Sequence, residues 1–155
     1  MRHRRSTVKI GRNASHRRAM FRNMSVSVLG CFGSNGLGIV STIPKLKAIR
    51  PIVERLVSVG VRAFKCDKAV SAASDGGAGL AACVSESVSL RRVLFRHLRN
   101  RAMVEKTVAV VGRAYESGGG GYVRILRLQR RRVGDGGVTG ILQWVALESE
   151  MRVPR

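Results

Sequence analysis

The sequence predicts an α+β fold in the order helix, strand, three helices, two strands, with a small mixed sheet backed by helices. Three observations point to it. Apolar residues recur at three- and four-residue steps in four separate segments, the helical period. Short β-rich runs stand at 39–42, 122–130 and 139–147. Glycine-rich breaks separate the two kinds of segment, and no internal repeat is visible. At 155 residues with 45% hydrophobic content, the chain has the length and apolar content for one compact domain. That domain is placed at 13–150, after a basic extended arm at 1–12 and before a tail at 151–155.

Taken in order, the arm carries charge but no apolar anchor, so it is expected to order only on a polyanion. Asn13 or Ser15 can cap the first helix, which runs to about Leu29. Its stripe is Met20, Met24 and Val28, with Phe21 and Leu29 beside them, and Arg17, Arg18 and Arg22 lie largely off it. CFGSNGLG at 31–38 ends that helix, and IVST suits a short buried strand. Thr42 can cap the second helix, with Pro44 tolerated in its first turn. Leu46, Ile49, Val53 and Leu56 form its stripe, and Pro51 should either kink it or shift its start.

Residues 62–86 change texture. SAASDGGAGLAAC is small and glycine-rich, which predicts a flexible surface insertion. A short stripe of Leu80, Cys83 and Val84 leaves open an extra helix packed on a neighbouring protein. Ser87 or Ser89 can cap the next helix, which bears Leu90, Leu94 and Leu98 with Arg91, Arg92, Arg96 and Arg99 around them. Asn100 marks a break before Val104, Val108, Val111 and Tyr115. SGGGG at 117–121 then stops the last helix, or brings bare backbone close to phosphates. The final two strands flank Asp135-Gly136-Gly137, a hairpin turn.

Charge speaks to partners. Twenty-nine Lys and Arg stand against nine Asp and Glu, a formal net charge of +20. The first 24 residues hold eight Arg and Lys and no carboxylate. Further basic clusters fall at Arg91-Arg92 and at Arg130-Arg131-Arg132, with little acid to compensate them, so nucleic acid is the leading partner. Aromatic content of 5% offers no stacking platform for a run of single-stranded bases. The chemistry expected is therefore phosphate and 2′-hydroxyl contact on folded RNA.

Other classes find little support. No run reaches the roughly 18 apolar residues of a membrane span. Cys31, Cys66 and Cys83 are widely spaced with no C-x-x-C pair, so neither a metal site nor a disulfide framework is expected. They read as reduced thiols in a cytosol-like compartment. GSNGLG at 33–38 has neither glycine spacing of the known phosphate loops. The scattered acids supply no base with an orienting partner. The chain is thus expected to be no enzyme, with no cofactor, small-molecule substrate or membrane.

MRHR followed by RNASHRRAMFRNM resembles the start of the seventeenth large-subunit ribosomal protein of bacteria (L-seventeen). The resemblance continues through IVSTIPKLKAIRPIVERLV, SLRRVLFRHL and GGYVRILRL. It implies a non-catalytic structural protein on large-subunit ribosomal RNA near the peptide exit tunnel, touching neighbouring large-subunit proteins. By position it places Arg2, His3, Arg4, Arg5, Arg12, Asn13, His16, Arg17, Arg22 and Asn23 in the family's RNA-facing start. Thr42, Pro44, Lys45 and Lys47 match a second block, and Gly120, Gly121, Tyr122 and Arg124 a third. Two departures stand out: a longer glycine-rich linker before IVST, and the stretch 62–86, on which the family is silent. A free-standing regulator or nucleoid-type protein is the alternative. A cytoplasmic ribosome is favoured over an organellar one.

Overall fold

The computed structural model describes residues 10–11, 13–33, 38–72 and 78–145. The arm residues Arg2, His3, Arg4, Arg5 and Arg12, and the tail, lie outside the described residues. The element order agrees with the α+β expectation. Helix α1 (Ala14–Gly30) leads into β1 (Gly38–Thr42), followed by α2 (Ile43–Ala72), α3 (Ala78–Leu98) and α4 (Arg101–Lys106). Helix α4 continues as a π-helical stretch, Thr107–Gly112, before the hairpin of β2 (Val123–Arg131) and β3 (Val138–Trp144).

Asn13 caps α1, its side-chain oxygen accepting from the His16 backbone N–H at 2.8 Å. Asn100 does the same for α4 through Met103 N–H at 3.2 Å. At the far end of α1 the Lys106 ammonium donates to the Gly30 carbonyl at 2.7 Å. A cation there satisfies an orphan carbonyl and complements the helix dipole.

The sheet runs β1-β3-β2 and pairs antiparallel throughout, so in this detail it is not the mixed sheet expected. The short hairpin loop forces β2 and β3 antiparallel, as their sequences indicate. The direction of β1, 96 positions before β3 begins, depends on where α2 must start over the sheet. Arg132 and Asp135 form an ion pair inside the turn, and Gly137 N–H donates to the Asp135 carboxylate.

Within the stretch expected to be a flexible insertion, residues 62–72 and 78–86 are helical, and residues 73–77 lie outside the described residues. Helix α2 runs unbroken to Ala72, and α3 begins at Ala78, well before Ser87 or Ser89. The two form an antiparallel helical hairpin. Val61 and Ala63 are buried, and Arg62 pairs with Glu86 at 2.7 Å across the two helices. Small residues do not oppose helix: alanine is the best helix former, and a small side chain permits close packing against a neighbour. Ser87 is no cap but a buried polar link. Pro51 lies inside α2 on its exposed side and does not displace the helix start from Ile43.

The core sits where α2 crosses under the sheet. Leu46, Ile49, Val53 and Val57 of α2 meet Leu94 and Leu98 of α3, Val108 and Val111, and Val123 and Leu142 of the sheet. Each fully buried leucine contributes about 2 kcal/mol. Helix α2 and the π-helical stretch touch backbone to backbone: a Cβ on Gly112 would stand 2.9 Å from the Gly60 carbonyl oxygen. Rings close the end of the core. Tyr115 and Tyr122 pack edge to face at 5.0 Å, and Phe32 meets Trp144 at 4.9 Å. The Trp144 indole donates to the Val28 carbonyl at 3.1 Å, tying α1 to the last strand.

Candidate nucleic-acid interface

Helix α1 presents two faces. Ser25, Val28 and Leu29 are buried, while His16, Arg18 and Asn23 are exposed and Arg17 and Arg22 half-buried. The Asn13 side chain is engaged as the cap. Arg22 is held by a 3.3 Å hydrogen bond from its Nε to the His97 carbonyl at the end of α3. That contact forms one wall of a groove of about 660 Å³ between α1, α2 and α3. Phe21, Ile52, Leu56, Val59 and Val93 make its apolar floor. Arg18, Arg22, Arg55, Arg96 and Arg99 line its rim, with no carboxylate among the lining residues.

Carboxylates are consumed elsewhere. Every Asp and Glu among the described residues lies within 4.0 Å of a cation: Glu54 with Arg50, Asp67 and Glu105 with Arg91, Glu86 with Arg62, Glu116 with Lys68, and Asp135 with Arg132. These pairs lie along α2, between α2 and α3, at α4 and in the hairpin turn, and no member of them lines the groove. The groove's arginines form no ion pair with a described carboxylate. Arg99, the described non-glycine residue with a positive φ (+51°), ends α3 in the left-handed region and turns the chain at the groove's edge.

The second and third blocks divide. Thr42 lines a surface recess with Arg130, Arg131 and Arg132, beside Val40 and Val133. Lys47 lines another with Arg50 and Arg127, over Ile43 and Ile125, while Lys45 is half-buried nearby on α2. Arg124 reaches across the strand pair to the Gln143 side chain at 3.3 Å, leaving it exposed. Gly120 and Gly121 are exposed with φ of +140° and +73°, a conformation open to glycine and strained for other residues.

Three expected contact residues are engaged within the fold. Tyr122 is only 4% exposed, its ring against Tyr115 and its backbone N–H on Glu54. An apolar ring beside a glycine turn looks the same in sequence whether it faces out or in. Arg132 spends its charge on Asp135. Arg91 is the centre of a polar knot: its guanidinium meets both Asp67 oxygens, the closer ion-pair contact being 2.8 Å, the Ser87 hydroxyl, and Glu105 at 3.3 Å. Arg92, one residue on, points to solvent. Arg55 carries no expectation from sequence, and Arg96 and Arg99 are expected there only as charges around the Leu90–Leu98 stripe, not as contact residues. The available signal was their place flanking the Leu56 and Leu94–Leu98 stripes, which puts them at the mouth of a helix–helix seam.

In that knot the hydrogen bonds from Arg91 hold the Asp67 carboxyl below the usual range, burial opposes them, and the Ser87 hydroxyl adds to the lowering. A carboxylate lowered on folding contributes stability that is present above its unfolded-state pKa and is lost as pH falls through the folded one. Asp67→Asn is therefore expected to lower the melting temperature at neutral pH, and the gap to the parent should narrow in acid. A gap unchanged from pH ~6 down to pH ~3 would deny the knot that role.

Residues 20–145 match the family described as Ribosomal protein L17. The chain belongs to that family. It is 34% identical over 153 residues to the large ribosomal subunit protein bL17 of Kosmotoga olearia, covering 99% of each chain. It is 35% identical over 148 residues to the bL17 of Petrotoga mobilis, covering 96% of this chain and 99% of that one. The family match begins at Met20, after the most basic stretch, so it rests on the folded domain rather than on charge. Among the described residues no helix is long and apolar enough to cross a membrane.

Proposed function

We propose that this chain is a structural constituent of the large ribosomal subunit that holds folded ribosomal RNA through phosphate and shape contacts at the rim of the peptide exit tunnel. Membership of the L17 family supports the subunit assignment. One observation carries the RNA contact: the described carboxylates are all paired, while the guanidiniums around the three-helix groove face no described acid. Phosphates, at one negative charge per nucleotide, supply the missing counter-charge. The acid-free arm at 1–12 would extend the same contact, and the recesses lined by Lys47 and by Arg130-Arg131 would add to it. Neighbouring large-subunit proteins are the further partners, and a ribosome of the cytoplasm the location.

The test is co-sedimentation. After a wash of large subunits at physiological ionic strength the chain is expected to stay at about one copy per particle, because contacts to RNA and to neighbouring proteins must open together for release. Quantitative release into the supernatant would instead favour a free-standing nucleic-acid-binding regulator.

A further inference from the structure

We propose that the groove between α1, α2 and α3 is a seat for one unpaired, unstacked RNA nucleotide, its base on the apolar floor and its flanking phosphates on the arginine rim. The proposal rests on the RNA-binding reading above and names what that surface recognises beyond phosphate.

The groove combines two features that a phosphate-only surface does not need. A helix face built solely to meet the RNA backbone would be polar throughout. Here Phe21, Ile52, Val59 and Val93 remain half-exposed in its floor, beside the buried Leu56. Its volume of about 660 Å³ falls within the roughly 300–1,000 Å³ typical of small-ligand sites. Phe21 is the only Phe, Tyr or Trp in the lining, with the His97 imidazole at the rim, so the groove suits a single base held against one large ring and aliphatic walls rather than a stacked run.

The rim decides the chemistry of the occupant. Arg18 and Arg22 stand on α1, Arg55 on α2, and Arg96 and Arg99 at the end of α3, so guanidiniums surround the floor from three elements. Arg22 is fixed in place by the His97 carbonyl. A planar guanidinium both pairs with phosphate oxygens and stacks on a base, which an ammonium does less well. Consecutive phosphates around an extruded base match this ring of charge. An apolar side chain from a partner protein would need several clustered acids to do the same.

The test titrates the full chain with two short RNA duplexes, one with a single unpaired 2-aminopurine bulge and the other without it. The bulged duplex is expected to bind about tenfold more tightly, a factor typical of seating one base, with a change in 2-aminopurine emission. Val93→Trp and, from the opposite wall, Val59→Trp fill the groove without altering charge. In whichever variant keeps the parent's circular dichroism spectrum, the two RNAs should bind equally. Arg55→Gln combined with Arg96→Gln should also reduce the preference. Equal binding of both RNAs by the parent chain, with steep salt dependence, would overturn the groove assignment while leaving the phosphate-binding reading in place. A preference surviving both tryptophan variants would overturn it too. So would equal RNA binding together with groove-dependent capture of an alternating Asp–Leu peptide, which would mark a protein-docking groove. Failure to bind either RNA would defeat both readings.

Discussion

Raising monovalent salt from about 50 to about 200 mM is expected to weaken binding of this chain to ribosomal RNA by about 10³–10⁵-fold. The figure follows from counterion release. Each phosphate neutralised contributes a slope of roughly −0.7 to −0.9 in log K against log salt, and about six to ten contacts give the total. The cations are available because the described acids pair among themselves with Arg50, Arg62, Lys68, Arg91 and Arg132, away from the groove. Arg17→Glu with Arg22→Glu should reduce the slope and lower affinity steeply, since Arg22 is already oriented on the groove wall by His97. Reversal of Arg62, whose charge Glu86 already meets at 2.7 Å, should cost far less RNA affinity. Filter-binding or anisotropy titrations across salt would check both. A slope shallower than about −2 would show that the positive charge is not the binding device.

Replacing Glu54 by Leu is expected to cost about 3 kcal/mol of folding stability. Its carboxylate, on the sheet-facing side of α2, accepts the backbone N–H groups of Tyr122 and Val123 at 3.1 Å each, one on each oxygen. These donors open β2, where Tyr122 and Val123 are themselves buried and no strand partner lies on that side. Removing the acceptor leaves two donors without a partner next to the core, and hydrogen bonds to a charged group are worth about 1.5–3 kcal/mol each. The Arg50 contact of Glu54, at 4.0 Å with Arg50 half-exposed, adds little. Glu54→Gln keeps one acceptor oxygen and should lose about half as much. Urea unfolding of the three proteins would decide it, and a loss below about 0.5 kcal/mol for the Leu variant would reject the clamp.

This clamp shows where reading the sequence stopped. Glu54 was visible only as the first carboxylate of the chain, among Arg50 and Arg55. Nothing local reveals that two residues, 68 and 69 positions later, will each present a backbone donor to it.

The helices, by contrast, were legible because their information is local. Met24, Val28 and Leu29, then Leu46, Ile49, Val53 and Leu56, repeat at the helical period, and all but the half-buried Met24 are buried. Asn13 and Asn100 sit where a cap must sit, and each makes the capping bond. The Asp135 turn announced the hairpin for the same reason. The stretch 62–86 is hard to read locally because its stripe, Leu80, Cys83 and Val84, is short and lies among small residues. Its helices are stabilised by contact with each other, through Arg62–Glu86 and the Asp67–Ser87–Arg91 knot, and such partners are distant in sequence.

What the sequence by itself determined is the set of elements, their order and the excess of positive charge, all properties of neighbouring residues or of composition. Only the tertiary structure decided which charges remain available. It paired Arg91 with Asp67 and the exposed Arg132 with Asp135, set Tyr122 against Tyr115, and gathered Arg18, Arg22, Arg55, Arg96 and Arg99 from three helices around one groove. The physical reason is that an arginine's role depends on the nearest carboxylate in space. In a chain with so few acids, the fold alone assigns which cations those acids neutralise.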